Sequence, residues 1–295
     1  MSSFSQLLHR EIPNTLDRPA YFRLSIGIIA CFALFHYSAR AAHLPPVDGL
    51  GPALLQQPSP ALAVALVATA LVVAAVAGRF IVGDLHNGDE PQFEGGLFAA
   101  LLGATALVFR LGSVRYALYA SPDSAVFILL AVELLLLYAV VALCFFALKW
   151  VTSPHPPSNA QNASPFMAVA THAIVMSACM IYLAQTEQPA QALGAVGISA
   201  LLASMAAHIA FPRSSSFCYW ISPLFVGLLG YGFCYFSPPP GLAIGFPDGL
   251  FGALARPMPL AYATAGPAGA IFGYWKASRW LQTEVHSHDQ PALNP

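Results

Sequence analysis

Eight runs of about 20 mostly apolar residues, each closed by helix breakers, constrain this chain more than any other feature. They are 21–42, 60–82, 96–119, 124–150, 165–185, 190–211, 217–236 and 259–280. A backbone that crosses hydrocarbon must satisfy every N–H and C=O internally, and such runs do so as helices. Charge supports this reading. Only 8% of the 295 residues are charged and 57% are hydrophobic, against roughly 25% charged in an ordinary soluble domain. So few charges cannot cover a soluble protein of this size. Soluble enzymes, nucleic-acid binders and disordered scaffolds are thereby excluded, and a net charge of −1 offers no basic field for DNA or RNA. The fold class expected is all-α: a polytopic transmembrane bundle of about eight spans.

The breaks carry Pro, Gly, Ser, Asn and acidic residues. They include the Pro-rich 44–60, the acidic 84–94, Ser121-Pro122-Asp123, and the stretch from Ser153 to Pro165. With the N-terminus in the cytoplasm, Arg10, Arg18, Arg23, Arg79, Lys149, Arg213, Lys276 and Arg279 fall at inner ends. Arg40, Arg110, Arg115 and Arg256 fall at outer ends or within spans, a bias of eight to four. The positive-inside rule therefore places both termini in the cytoplasm. Residues 1–20 read as a short interfacial segment, with Phe4, Leu7, Leu8 and Ile12 at helical spacing before Pro13. Residues 24–35 resemble a signal-peptide core, but more than 20 residues precede them, so they read as an uncleaved anchor. Residues 21–280 form one transmembrane domain with a linker at 152–165, and 281–295 read as a flexible tail. Gly266-Pro267 is expected to kink or break the last span. The expected location is a cell membrane, on this reading a bacterial inner membrane.

Sliding the chain by 200 residues aligns DGLGPAL at 48–54 with DGLFGAL at 248–254. Residues 47–90 then share 14 identities in 44 positions, seven of them alanine. In each block an Asp-Gly turn, at Asp48 or Asp248, is placed to cap a short helix on the external side, and a Pro opens an inward span soon after.

Arg110 and Glu133 are the charges deepest in apolar sequence. In a hairpin turning at Pro122 they lie at matching depth, so they are expected to form an intramembrane ion pair, or else a transport site. His172 and His208 fall in the fifth and sixth spans at offset depths. They read as hydrogen-bonded bundle histidines; as haem or other cofactor ligands they are poorly placed. His86 in the acidic loop and His286, His288 and Asp289 in the tail share the inner side and form a weak metal candidate. The five cysteines lie in apolar stretches with no C-x-x-C pair and read as small buried hydrophobes.

No phosphate-binding loop, dinucleotide fingerprint, zinc-protease motif or nucleophile elbow occurs. The leading function class on sequence alone is a non-catalytic subunit or accessory component of a membrane complex. Gly78, Gly194, Gly197, Gly269 and Gly273 suit close helix packing against partner subunits or a second copy. The alternative is a small-solute or ion permease using Arg110 and Glu133. A membrane enzyme acting on lipid or quinone near the histidines ranks third. No cofactor is predicted, although a bound lipid is compatible with the chain. The bilayer is the expected partner, and nucleic acid is not.

Overall fold

The computed structural model describes residues 18–41, 53–83, 85–87, 90–92, 94–121, 123–151, 164–213, 215–237 and 252–288. The helices are α1 (Arg18–Ala41), α2 (Pro60–Val82), α3 (Gly95–Val108), α4 (Val114–Ala120), α5 (Ala125–Val151), α6 (Pro165–Leu183), α7 (Pro189–Ala210), α8 (Phe217–Trp220), α9 (Ser222–Phe236), α10 (Gly252–Ala255) and α11 (Pro259–His288). A 3-10 turn at Leu54–Gln56 precedes α2. A small antiparallel hairpin, β1 (Leu85–Asn87) with β2 (Glu90–Gln92), lies between α2 and α3. Six long helices, α1, α2, α6, α7, α9 and α11, carry Pro in their first turn, where the missing N–H would have had no intrahelical partner.

Among the described residues, six helices are long and apolar enough to cross a bilayer: Ala20–Arg40, Pro60–Val82, Ala125–Trp150, Pro165–Leu183, Pro189–Ala210 and the combined Phe217–Phe236. The chain is a multi-pass helical membrane protein. Several exposed large aromatics lie near helix ends, whereas Phe32 and Phe225 lie along the lengths of their spans. Phe22, Phe80, Trp150, Phe166 and Trp280 ring one end, and Tyr37, Tyr119, Tyr182 and Phe236 the other. Such girdles suit the two headgroup regions, where an amphipathic ring meets both hydrocarbon and water.

Three expectations are corrected. The run 96–119 is not one helix. It breaks between Val108 and Val114, where Gly112 adopts φ +65°, a left-handed conformation that glycine takes without steric cost. The resulting α3 is an apolar helix of 14 residues. The last span is not broken at Gly266-Pro267. Pro267 sits inside a continuous α11, whose turns on either side of it are buried by neighbouring helices. That helix also runs to His288, past the expected end at 280.

Helix α11 is the hub. Residues 258–275 are buried almost throughout, and the helix packs on α3, α5, α7, α8 and α9. Its closest partner is α7. A Cβ placed on Gly269 would lie 2.2 Å from the Gly197 carbonyl oxygen, and one on Gly273 would lie 2.3 Å from that of Leu201. Glycine here sets the interaxial distance, since any side chain would push the backbones apart. A second layer, α1–α2–α3, is drawn together in the same way. Gly96 lies against the Arg79 backbone and Gly103 against that of Cys31, and the Cys31 thiol donates to the Ala74 carbonyl at 3.5 Å.

Candidate functional site

Glu133 lies in the third turn of α5 and is fully buried. The chain segment before α2 reaches in to cover it. Leu54, at the start of the 3-10 turn, is also fully buried. The Leu55 N–H donates to Glu133 Oε2 at 3.0 Å, and the Leu54 N–H faces the same carboxylate. The turn is held from both sides. The Ala53 N–H donates to Gln56 Oε1 at 3.2 Å, and Gln56 Nε2–H donates to the Ala117 carbonyl at 3.0 Å. The other carboxylate oxygen, Oε1, is buried and has no hydrogen-bond partner among the described residues. A second incoming turn, α10, supplies acceptors where the first supplies donors. Tyr262 O–H donates to the Leu254 carbonyl at 2.7 Å, and Tyr231 O–H to the Pro257 carbonyl at 2.6 Å. Tyr231 lies within electrostatic reach of Glu133, and its ring meets Tyr262 edge-on at 6.3 Å. Gly230 packs directly on the Leu254 backbone. Thus Leu54 and Leu254, matched by the 200-residue offset, both lie in short buried turns just before a long helix.

The expected Arg110–Glu133 pair does not form. Matching depth assumed an unbroken third span, and the break at 109–113 redirects the chain. Arg110 is buried beside α1, with Nη2 at 3.4 Å from His36 Nδ1. Nearby at the same end of the bundle is a rim cluster. Arg115 pairs with Glu187 at 3.7 Å. Arg256 donates to the Ala184 carbonyl and also acts on Glu187. Partial burial pushes the Glu187 carboxyl up, and the two arginines pull it back.

His172 and His208 are both buried and both flank Tyr219, with ring centroids 6.5 and 5.5 Å away. Their hydrogen bonds fix their tautomers. Tyr219 O–H donates to the Phe211 carbonyl at 2.8 Å, so its oxygen accepts from His208 Nδ1–H at 3.0 Å. His208 Nε2 is then the acceptor for Ser278 O–H at 3.1 Å. His172 Nε2–H donates to the Ala200 carbonyl at 3.2 Å, and its buried Nδ1 has no partner among the described residues. Both His208 nitrogens thus have side-chain hydrogen-bond partners. The network ties α7, α8 and α11 together.

At the opposite end stands Glu94, which a sequence reading assigns to a solvated acidic loop. It is 5% exposed. Ser216 O–H donates to Oε1, and Trp275 Nε1–H donates to Oε2 at 3.2 Å. Burial pushes its carboxyl up to about 7, against smaller opposing contributions from these two donors and from Lys149. The signal available in the sequence was position: Glu94 directly abuts Gly95-Gly96 and the apolar run.

Asp48, Asp248 and Asp289 lie outside the described residues. The backbones of His86, in β1, and of His286 and His288, in the last turns of α11, are described. Among the described residues no group of three or more His, Cys, Asp or Glu is placed to hold a metal ion. The chain matches no protein-family model, no curated protein and no solved structure.

Proposed function

We propose that this protein is a proton-coupled permease for a small solute, with Glu133 as the proton-carrying group. One observation carries the reading: a fully buried carboxylate inside a membrane helix has one oxygen bonded to an incoming turn and the other without a hydrogen-bond partner among the described residues. A purely structural carboxylate would be completed by a partner, because a half-satisfied buried acid is costly. An intramembrane acid facing protein interior is by default a functional group. A proton fits where a metal cation does not. An alkali or alkaline-earth ion needs several oxygens, whereas a proton needs only Oε1. Tyr231 and Tyr262 O–H are already committed to carbonyls.

In this reading eight passes are completed by α3–α4 as a broken span and by α11 as a lipid-shielded one, with both termini cytoplasmic by the positive-inside bias. Glu133 then lies in the outer half, beneath two turns that enter from outside. When Glu133 is ionised, the N–H groups of Leu54 and Leu55 hold the first turn down. Protonation weakens those charge-assisted bonds and frees the turn to move, which couples proton binding to outward access.

The test is electrical. Proteoliposomes on a solid-supported membrane are given concentration jumps of amino acids, sugars, carboxylates and amines. The expected result is a transient current for one class that Glu133→Gln abolishes. Silence across the panel would favour a second reading, a subunit of a membrane complex. One observation supports that reading: Gly194 on α7 and Gly232 on α9 face open space, where another helix could approach closely.

A further inference from the structure

We infer that Glu94 is a second proton-binding site, built at the end of the bundle opposite Glu133 and serving exchange on that side. It sits where α3 begins and is clasped by Ser216, just before α8, and by Trp275 of α11. Three elements far apart in sequence therefore meet on one carboxylate. The charged groups at this end of the packed elements are Arg23 of α1, Arg79 of α2, Lys149 at the end of α5, Arg213 between α7 and α8, and Lys276 and Arg279 of α11. Of these, Lys149 acts on Glu94 electrostatically, and Lys276 lies over the Phe272 ring at 5.3 Å.

The donors suit a group that changes protonation state. The Trp275 indole N–H only donates, and either form of the carboxyl can accept from it. The Ser216 hydroxyl donates to the carboxylate but can turn to accept from the protonated acid. Loss or gain of one proton therefore needs no rearrangement of heavy atoms at the clasp. Position supports exchange with solvent, because Glu94 follows the hairpin at the helix end and retains slight exposure. Along α11, Trp275 binds Glu94 and Tyr262 meets Tyr231, the neighbour of Glu133; at 1.5 Å per residue the two positions lie roughly 20 Å apart. The proton site stands on the Glu94 geometry alone. Its pairing with Glu133 as two stations of one path rests on the permease reading.

Infrared difference spectroscopy of the full chain in proteoliposomes tests the site directly. Stepping the pH across the neutral range in wild type should reveal a protonated-carboxyl stretch with a midpoint near 7. Glu94→Gln should remove that band, while Glu133→Gln should leave it. A band unchanged by Glu94→Gln, or the absence of any carboxyl band titrating near neutrality, would overturn the proposal. Should Glu94→Gln fail to fold, Ser216→Ala supplies the decision. Losing a donor that favours the ionised form should raise the midpoint by about half a pH unit or more, and an unmoved midpoint would contradict the assignment. Failure of the permease reading would look different, with no solute-driven current but the Glu94 band intact.

Discussion

Glu94 and Glu133 are chemically identical, yet their neighbours give them opposite problems. Glu94 has a donor for each oxygen and little solvent. Its carboxyl is pushed from 4.5 to about 7 by burial, so the folded protein binds this proton more tightly than the unfolded chain does. The resulting stability is fully present below pH about 4.5 and is lost as pH rises through about 7. A tenfold difference in proton affinity between the two states is worth about 1.4 kcal/mol. Thermal unfolding should therefore show wild type losing stability between about pH 5 and 8, with Glu94→Gln much less affected. Gly112 makes a second prediction. At φ +65° an Ala costs about 1–2 kcal/mol, so Gly112→Ala should lower the melting temperature and disturb the Arg110–His36 contact. Glu133 stood out in the sequence because it interrupts a long apolar run. Glu94 did not, because its partners Ser216 and Trp275 lie 122 and 181 residues away. No local pattern records such a meeting.

At the level of elements, glycine decides which helices touch. Gly269→Ala should drive α7 and α11 apart, because the new methyl meets the Gly197 backbone rather than a flexible side chain. A loss of about 1–3 kcal/mol is expected, seen as a lower melting temperature or a broadened size-exclusion peak. Gly194→Ala, on the open face of α7, should be neutral or slightly stabilising. The long helices were legible because apolar length and terminal prolines are local signals. The break at 109–113 was hidden, since Phe109 and Leu111 keep the run apolar while the turn needs only Gly112 and Ser113. The α11 continuity was also hidden. Gly266-Pro267 predicts a break in an isolated helix, but here α7 and α9 enclose it, and Gly266 packs against Pro223 of α9.

The molecule as a whole is organised around α11, with one buried acidic residue near each end of that helix's buried stretch. The topology is open to cysteine mapping. Ser59→Cys, Ser121→Cys and Gln185→Cys should react with an impermeant maleimide from outside the cell, whereas Ser164→Cys and Ser215→Cys should react only from inside. Composition, with its scarcity of charge and its long apolar runs, carried the membrane assignment. The site needed the turns at Leu54–Gln56 and Gly252–Ala255, whose burial depends on the whole bundle and on no segment by itself. The central claim is that Glu133 carries protons, and proton flux measures it most directly. Liposomes loaded with pyranine are held at a valinomycin-set potassium potential, and the solute class that gives current is added. Wild type should shift internal pH at a rate at least tenfold that of Glu133→Gln, which should match protein-free liposomes; equal rates in the two proteins would contradict the account.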